Sequence, residues 1–107
     1  MIRVRFLVGN KQIKGFEISG HAMFAESGSD VVCAAVSSAA YMAANTVTEV
    51  IGIDAEAEVG EAKMRFVLNQ TNEQAVAVLK GLELHLTELS KQYPENIKII
   101  YGGVKNA

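Results

Sequence analysis

Residues 20–37 read G-H-A-M-F-A-E-S-G-S-D-V-V-C-A-A-V-S, and the rest of the chain is organised around them. The stretch holds the only cysteine, Cys33, and one of the two histidines, His21. From Ala22 to Ser29 it carries alanines, two serines and a glycine, which reads as a loop. From Asp30 onward it turns apolar and rich in alanine, which reads as a helix. Asp30 ahead of Val31 and Val32 is suited to an N-cap, its carboxylate accepting from an unpaired first-turn amide. Cys33 then falls in the first turn, where unpaired amides and the helix dipole favour a thiolate over a thiol. An imidazolium at His21 would add to this, and could return the proton to a leaving amine. Ser37 lies one turn beyond Cys33 on the same face. It can donate to the sulfur or to substrate, or bond back to the carbonyl of Cys33. The plainer reading is that a lone cysteine in a small domain is a buried, inert apolar side chain.

The blocks Gly20-His21-Ala22, Gly28 and Asp30-Val31-Val32-Cys33-Ala34-Ala35-Val36-Ser37 resemble the signature of the ribosomal-processing cysteine proteases, the Prp family. Met23 departs from that pattern, which expects a smaller or more polar residue. The resemblance implies Cys33 as nucleophile and His21 as base, with Gly20, Asp30 and Ser37 around them. It implies cleavage after a short, aromatic-containing N-terminal extension of large-subunit ribosomal protein twenty-seven. It also implies a homodimer. Within the loop, Phe24 either pins the chain to the core or serves, with Ala22 and Gly28, as a lid or wall over substrate. Asp30 has two competing roles, cap of the helix or orienter of His21; local geometry favours the cap. The amides of Cys33 and its first-turn neighbours are the natural oxyanion donors.

Composition sets bounds on this. A chain of 107 residues, half of them hydrophobic, is one domain spanning 1–107 with a single core. The net charge of −2 and unclustered Lys and Arg give no basic face for nucleic acid. One cysteine excludes an intrachain disulfide, and no paired spacing suggests a metal site or cofactor. A lone catalytic thiol suits the reducing cytoplasm. Met1-Ile2-Arg3-Val4-Arg5 does not read as a signal peptide. The apolar run from Val31 to Ala44, broken by Ser37 and Ser38, reads as too short to span a bilayer.

Outside the central stretch the chain reads as scaffold. Ile2, Val4, Phe6 and Val8 alternate as a strand. Gly9-Asn10 reads as a two-residue turn, and a return strand over 11–19 needs a bulge at Gly15 to put Ile13, Phe16 and Ile18 on one face. The helix from Asp30 runs to about Ile51, with Val32, Ala35, Val36, Ala39, Ala43, Val47 and Val50 as its stripe and Gly52 as its cap. Its small-residue faces read as buried on several sides or paired with a second copy. A second hairpin, 53–59 and 62–68, turns at Gly60-Glu61, so Glu58 would face Lys63 and Glu56 would face Arg65. The acids Asp54, Glu56 and Glu58 read as a solvated sheet face, with a dock for a basic tail as the minority reading. Thr71 and Gln74 fit a capping box for a helix to about Tyr93, ended by Pro94. His85 reads as a boundary residue on that helix, not a second base. A last strand covers 96–104. The order β-β-α-β-β-α-β implies an α+β domain, a mostly antiparallel sheet covered by two helices.

The function expected is a cysteine endopeptidase without cofactor or metal, acting on the extension of a ribosomal protein. Neither nucleic acid nor membrane is an expected partner. The alternatives are a non-catalytic ribosome-assembly module that holds a peptide, and a redox-sensing thiol.

Overall fold

The alternation of Ile2, Val4 and Phe6 with Arg3 and Arg5 becomes the first strand of a five-stranded sheet. The computed structural model describes residues 1–20 and 27–103, residues 27–30 by their backbone only. The elements are β1 (Ile2–Gly9), β2 (Gln12–Ser19), α1 (Ser27–Asn45) continued by a π-helical segment (Thr46–Ile51), β3 (Ala55–Gly60), β4 (Lys63–Leu68), α2 (Glu73–Gln92) and β5 (Ile97–Gly103). The sheet order is β3-β4-β2-β1-β5, antiparallel throughout except that β5 runs parallel to β1. This is the expected α+β arrangement. Both helices cover one face of the sheet.

Three phenylalanines lock that face. Phe6 pairs with Phe16 and Phe16 with Phe66 in consecutive strands. All three are fully buried, and the rings of Phe16 and Phe66 stack at 5.6 Å. Burying each contributes roughly 1.5–3 kcal/mol. Val32, Val36, Ala40 and Ala43 of α1 and Val47 of the π-helical segment close the core from above, with Ala75, Leu79, Leu82 and Leu86 of α2.

Both turns fall one residue later than the sequence suggests. The first turn residues are Asn10 and Lys11, both at positive φ (50° and 65°), and Gly9 pairs with Gln12. The bulge residue is Lys14, beside Gly15, because Leu7 pairs with Gly15 while Val8 pairs with Ile13. This register joins Val8 to Ile13, Phe6 to Phe16 and Val4 to Ile18. Three apolar cross-strand pairs outweigh the preference for glycine in the turn. In the second hairpin Gly60 pairs with Lys63, so Glu58 faces Arg65 and Glu56 faces Val67. Arg65 instead forms its ion pair with Glu17 of β2, Nε to Oε2 at 2.9 Å.

The helix boundaries also move. The first helix starts at Ser27, so 27–29 belong to it rather than to the loop, and Asp30 is not its N-cap. It loosens into π geometry where Thr46 and Thr48 donate their hydroxyls back to the carbonyls of Met42 and Ala44. The wider turn rotates Val50 out of the expected stripe, leaving it 79% exposed. Gly52, at φ 84°, caps the end as expected. Burial of α1 is one-sided, since Val31, Ala34, Ser38, Tyr41, Met42 and Asn45 are exposed. Val31–Ile51 is long and apolar enough to cross a membrane by composition, with mean hydropathy 1.3. Its buried face nonetheless seals the core of this fold. The cap of α2 is Asn72, whose Oδ1 accepts from the amide of Ala75 at 2.9 Å. Thr71 is engaged elsewhere, accepting from Lys14 Nζ at 2.8 Å.

Candidate active site

Gly20 ends β2 at φ 88°, a conformation open mainly to glycine, and its amide donates to the carbonyl of Ala62 at 3.0 Å. A Cβ at this position would run into the carbonyl oxygen of Met1. Gly20 is thereby fixed against the turn joining β3 and β4.

Gly20 lies on a cleft of about 300 Å³. Its floor is the helix-facing end of the sheet, Ile2, Ile18, Met64 and Val59. Ile18, Met64 and Val59 are successive register partners on β2, β4 and β3. Its wall is α1, through Cys33, Val36, Ser37, Ala40 and Tyr41. Gly60, Ala62 and Lys63 close the end. Cys33 is half-buried, and Ser37 beside it is exposed. The i, i+4, i+8 spacing of Cys33, Ser37 and Tyr41 puts all three on the cleft side of the helix. Among the described residues the lining is mostly apolar, and Lys63 is its only charged residue.

The structure thus brings together three expected site residues, Gly20, Cys33 and Ser37. His21, Ala22 and Phe24 lie outside the described residues, as does the question of whether Phe24 acts as a lid. Gly28 and Asp30 lie in the first turns of α1. Because the helix begins at Ser27, Cys33 is its seventh residue rather than its third. Cys33 therefore lies beyond the first turn in which the sequence suggests it. The Cys33 amide also lies within the helix's own ladder, which removes it as an oxyanion donor. His85 is exposed on α2 and borders a separate groove between α1 and α2, away from Cys33. Among the described residues no cluster of His, Cys, Asp and Glu could hold a metal ion.

Sequence reasoning missed Tyr41, Val59, Lys63 and Met64 as cleft residues. The helical spacing from Cys33 pointed to Tyr41. Nothing local to 59–64 pointed to the other three, which reach the cleft only through the pairing of β4 with β2.

A model of the family described as cysteine protease Prp matches residues 1–98. The chain belongs to this family. It is similar to the ribosomal processing cysteine protease Prp of Bacillus subtilis (strain 168), with 29% identity over 97 residues, covering 84% of this chain and 87% of that protein. Two crystal structures of an essential ribosomal processing protease Prp from S. aureus share its fold. One is in complex with a substrate peptide (TM-score 0.87) and the other with a covalently linked product peptide (TM-score 0.85). Each is 23% identical and covers 95% of this chain and 100% of its own. Membership of the Prp family makes this a cysteine protease fold, with its lone cysteine opening into a largely apolar cleft.

Proposed function

We propose that this chain is a cysteine endopeptidase that removes the N-terminal extension of large-subunit ribosomal protein twenty-seven during ribosome assembly. The observation that carries the reading is Cys33 on the wall of a cleft whose floor is the apolar end of the sheet. Cys33 Sγ attacks the scissile carbonyl carbon. His21, as base, takes the thiol proton and then gives it to the departing amine as the C–N bond breaks. Water hydrolyses the resulting thioester, releasing the extension as a carboxylate and restoring the thiol. The negative charge on the carbonyl oxygen needs donors other than the Cys33 amide. Ser37, Tyr41 and Lys63 border the cleft and carry the groups for it. The enzyme acts in the cytoplasm as a homodimer. In support of the dimer, α1 exposes Val31, Tyr41 and Met42 and carries no charged side chain from 31 to 48.

Intact mass spectrometry tests this directly. The extended ribosomal protein from the same organism is incubated with this protein and, in parallel, with Cys33→Ala and His21→Ala variants. Loss of the extension with the wild type alone supports the reading. No cleavage by folded, reduced wild-type protein overturns it and leaves a peptide-holding assembly module.

A further inference from the structure

The strand β3 is an edge of the sheet, and among the described residues it pairs only with β4. From Glu56 to Gly60 every residue is exposed. The strand carries neither proline nor lysine, two of the devices that keep edges from pairing. At the opposite edge, β5 carries Lys98 and is tied to α2 by Tyr101, whose hydroxyl donates to Glu83 Oε2 at 2.6 Å. The β3 edge is therefore the one open to an added strand.

Two further observations identify what it takes. The end of β3 runs into the cleft, because Val59 and Gly60 line it together with Cys33. Val59 is 59% exposed although it faces the helix side, so the helical layer stops short of this edge. On that side β3 presents only Ala55, Ala57 and Val59, which leaves room for the side chains of an incoming strand. On the other side it presents Glu56 and Glu58. Residues 49–62 contain five acids (Glu49, Asp54, Glu56, Glu58 and Glu61) and no Lys or Arg. Asp54 accepts from Asn69 Nδ2 at 2.6 Å. Glu56, Glu58 and Glu61 make no ion pair among the described residues.

We propose that β3 is the docking edge for the substrate. An extended peptide with cationic side chains at alternate positions adds to β3 as a sixth strand and continues into the Cys33 cleft. Backbone bonds to β3 hold it in register. Its cationic side chains lie beside Glu56 and Glu58, and its alternate side chains cover Ala57 and Val59. This inference rests on the endopeptidase reading and supplies the means of substrate positioning.

Amide hydrogen exchange of the Cys33→Ala protein tests it, with a synthetic peptide spanning the ribosomal-protein extension and the ten residues after it. The expected result is a slowing of exchange by about tenfold within residues 55–60, with residues 97–103 unchanged. Single N-methylation along the peptide, away from the scissile bond, is expected to lower kcat/KM of the wild type about tenfold at every second position only. A peptide that is cleaved while β3 exchanges unchanged, or that protects β5 instead, overturns the docking. Protection of β3 without cleavage by the wild type supports the docking and overturns the endopeptidase reading. Neither protection nor cleavage overturns both.

Discussion

The carbonyl oxygen of Met1 occupies the space where a side chain on Gly20 would begin. A glycine at this point lets the first strand and the exit of the second pack together at the edge of the Cys33 cleft. Gly20→Ala combines a left-handed backbone with a backbone collision, and the carbonyl cannot move without disturbing β1. The expected loss is about 2 kcal/mol or more in urea denaturation, together with a fall in peptide cleavage. An alanine variant as stable and active as the wild type would refute this account of the strand exit.

Asn72, not Thr71, holds the first turn of α2. Asn72→Ala is expected to destabilise by about 1 kcal/mol, the usual worth of an N-cap. Thr71→Ala removes only an exposed bond from Lys14 and is expected to lie within about 0.5 kcal/mol of wild type. Thermal denaturation of both variants decides the matter, and a reversed order would restore Thr71 as the cap.

Arg65 faces an acid on each side, Glu17 on β2 and Glu58 on β3. Its bond goes to Glu17, and both side chains keep about a third of their surface in water. A double-mutant cycle over Arg65→Ala and Glu17→Ala is expected to give a coupling of about 0.2–1 kcal/mol that shrinks in molar salt. A coupling as large with Glu58 in place of Glu17 would contradict the observed pairing.

Tyr101 connects β5 to α2 through Glu83. That hydrogen bond, then partial burial and the negative charge of Glu83, raise the phenol above its ordinary value of 10.0. The folded state therefore holds the phenolic proton more tightly than the unfolded chain. Its contribution to stability is complete below about pH 10 and is lost as pH rises through the raised value. Tyr101→Phe is expected to cost about 0.5 kcal/mol at neutral pH. The gap between wild type and variant should close under alkaline conditions, as urea midpoints at pH 8 and above pH 10 would reveal. A constant gap would show that the phenol's ionisation does not matter.

The element order and the core phenylalanines were legible because alternation and helical spacing are local signals. Residues Ile2, Val4 and Phe6 announce their buried face without reference to the rest of the chain. The register of the second hairpin was not legible. Pairing Gly60 with Lys63 differs by two residues from the expected register, and a two-residue shift leaves every side chain on the same face. The start of α1 was missed because Asp30 has the chemistry of a cap, and nothing in Ser27-Gly28-Ser29 announces a helix. Cys33 and Ser37 were found from their own neighbourhood. Val59 and Met64 reach the cleft only through the sheet, so only tertiary structure could supply them.

The pairing of β1 with β5 ties the cleft to the order of synthesis. Ile2, part of the cleft floor, pairs with Ile97 and donates its amide to the carbonyl of Asn96 at 2.8 Å. A nascent chain that has emerged only as far as α2 has its cysteine and most of its helices, but no partner for the outer side of its first strand. The finished cleft must wait until the residues around 97–103 leave the ribosome. The cleft of this Prp-family chain would thus be completed only after residues 97–103 have been made.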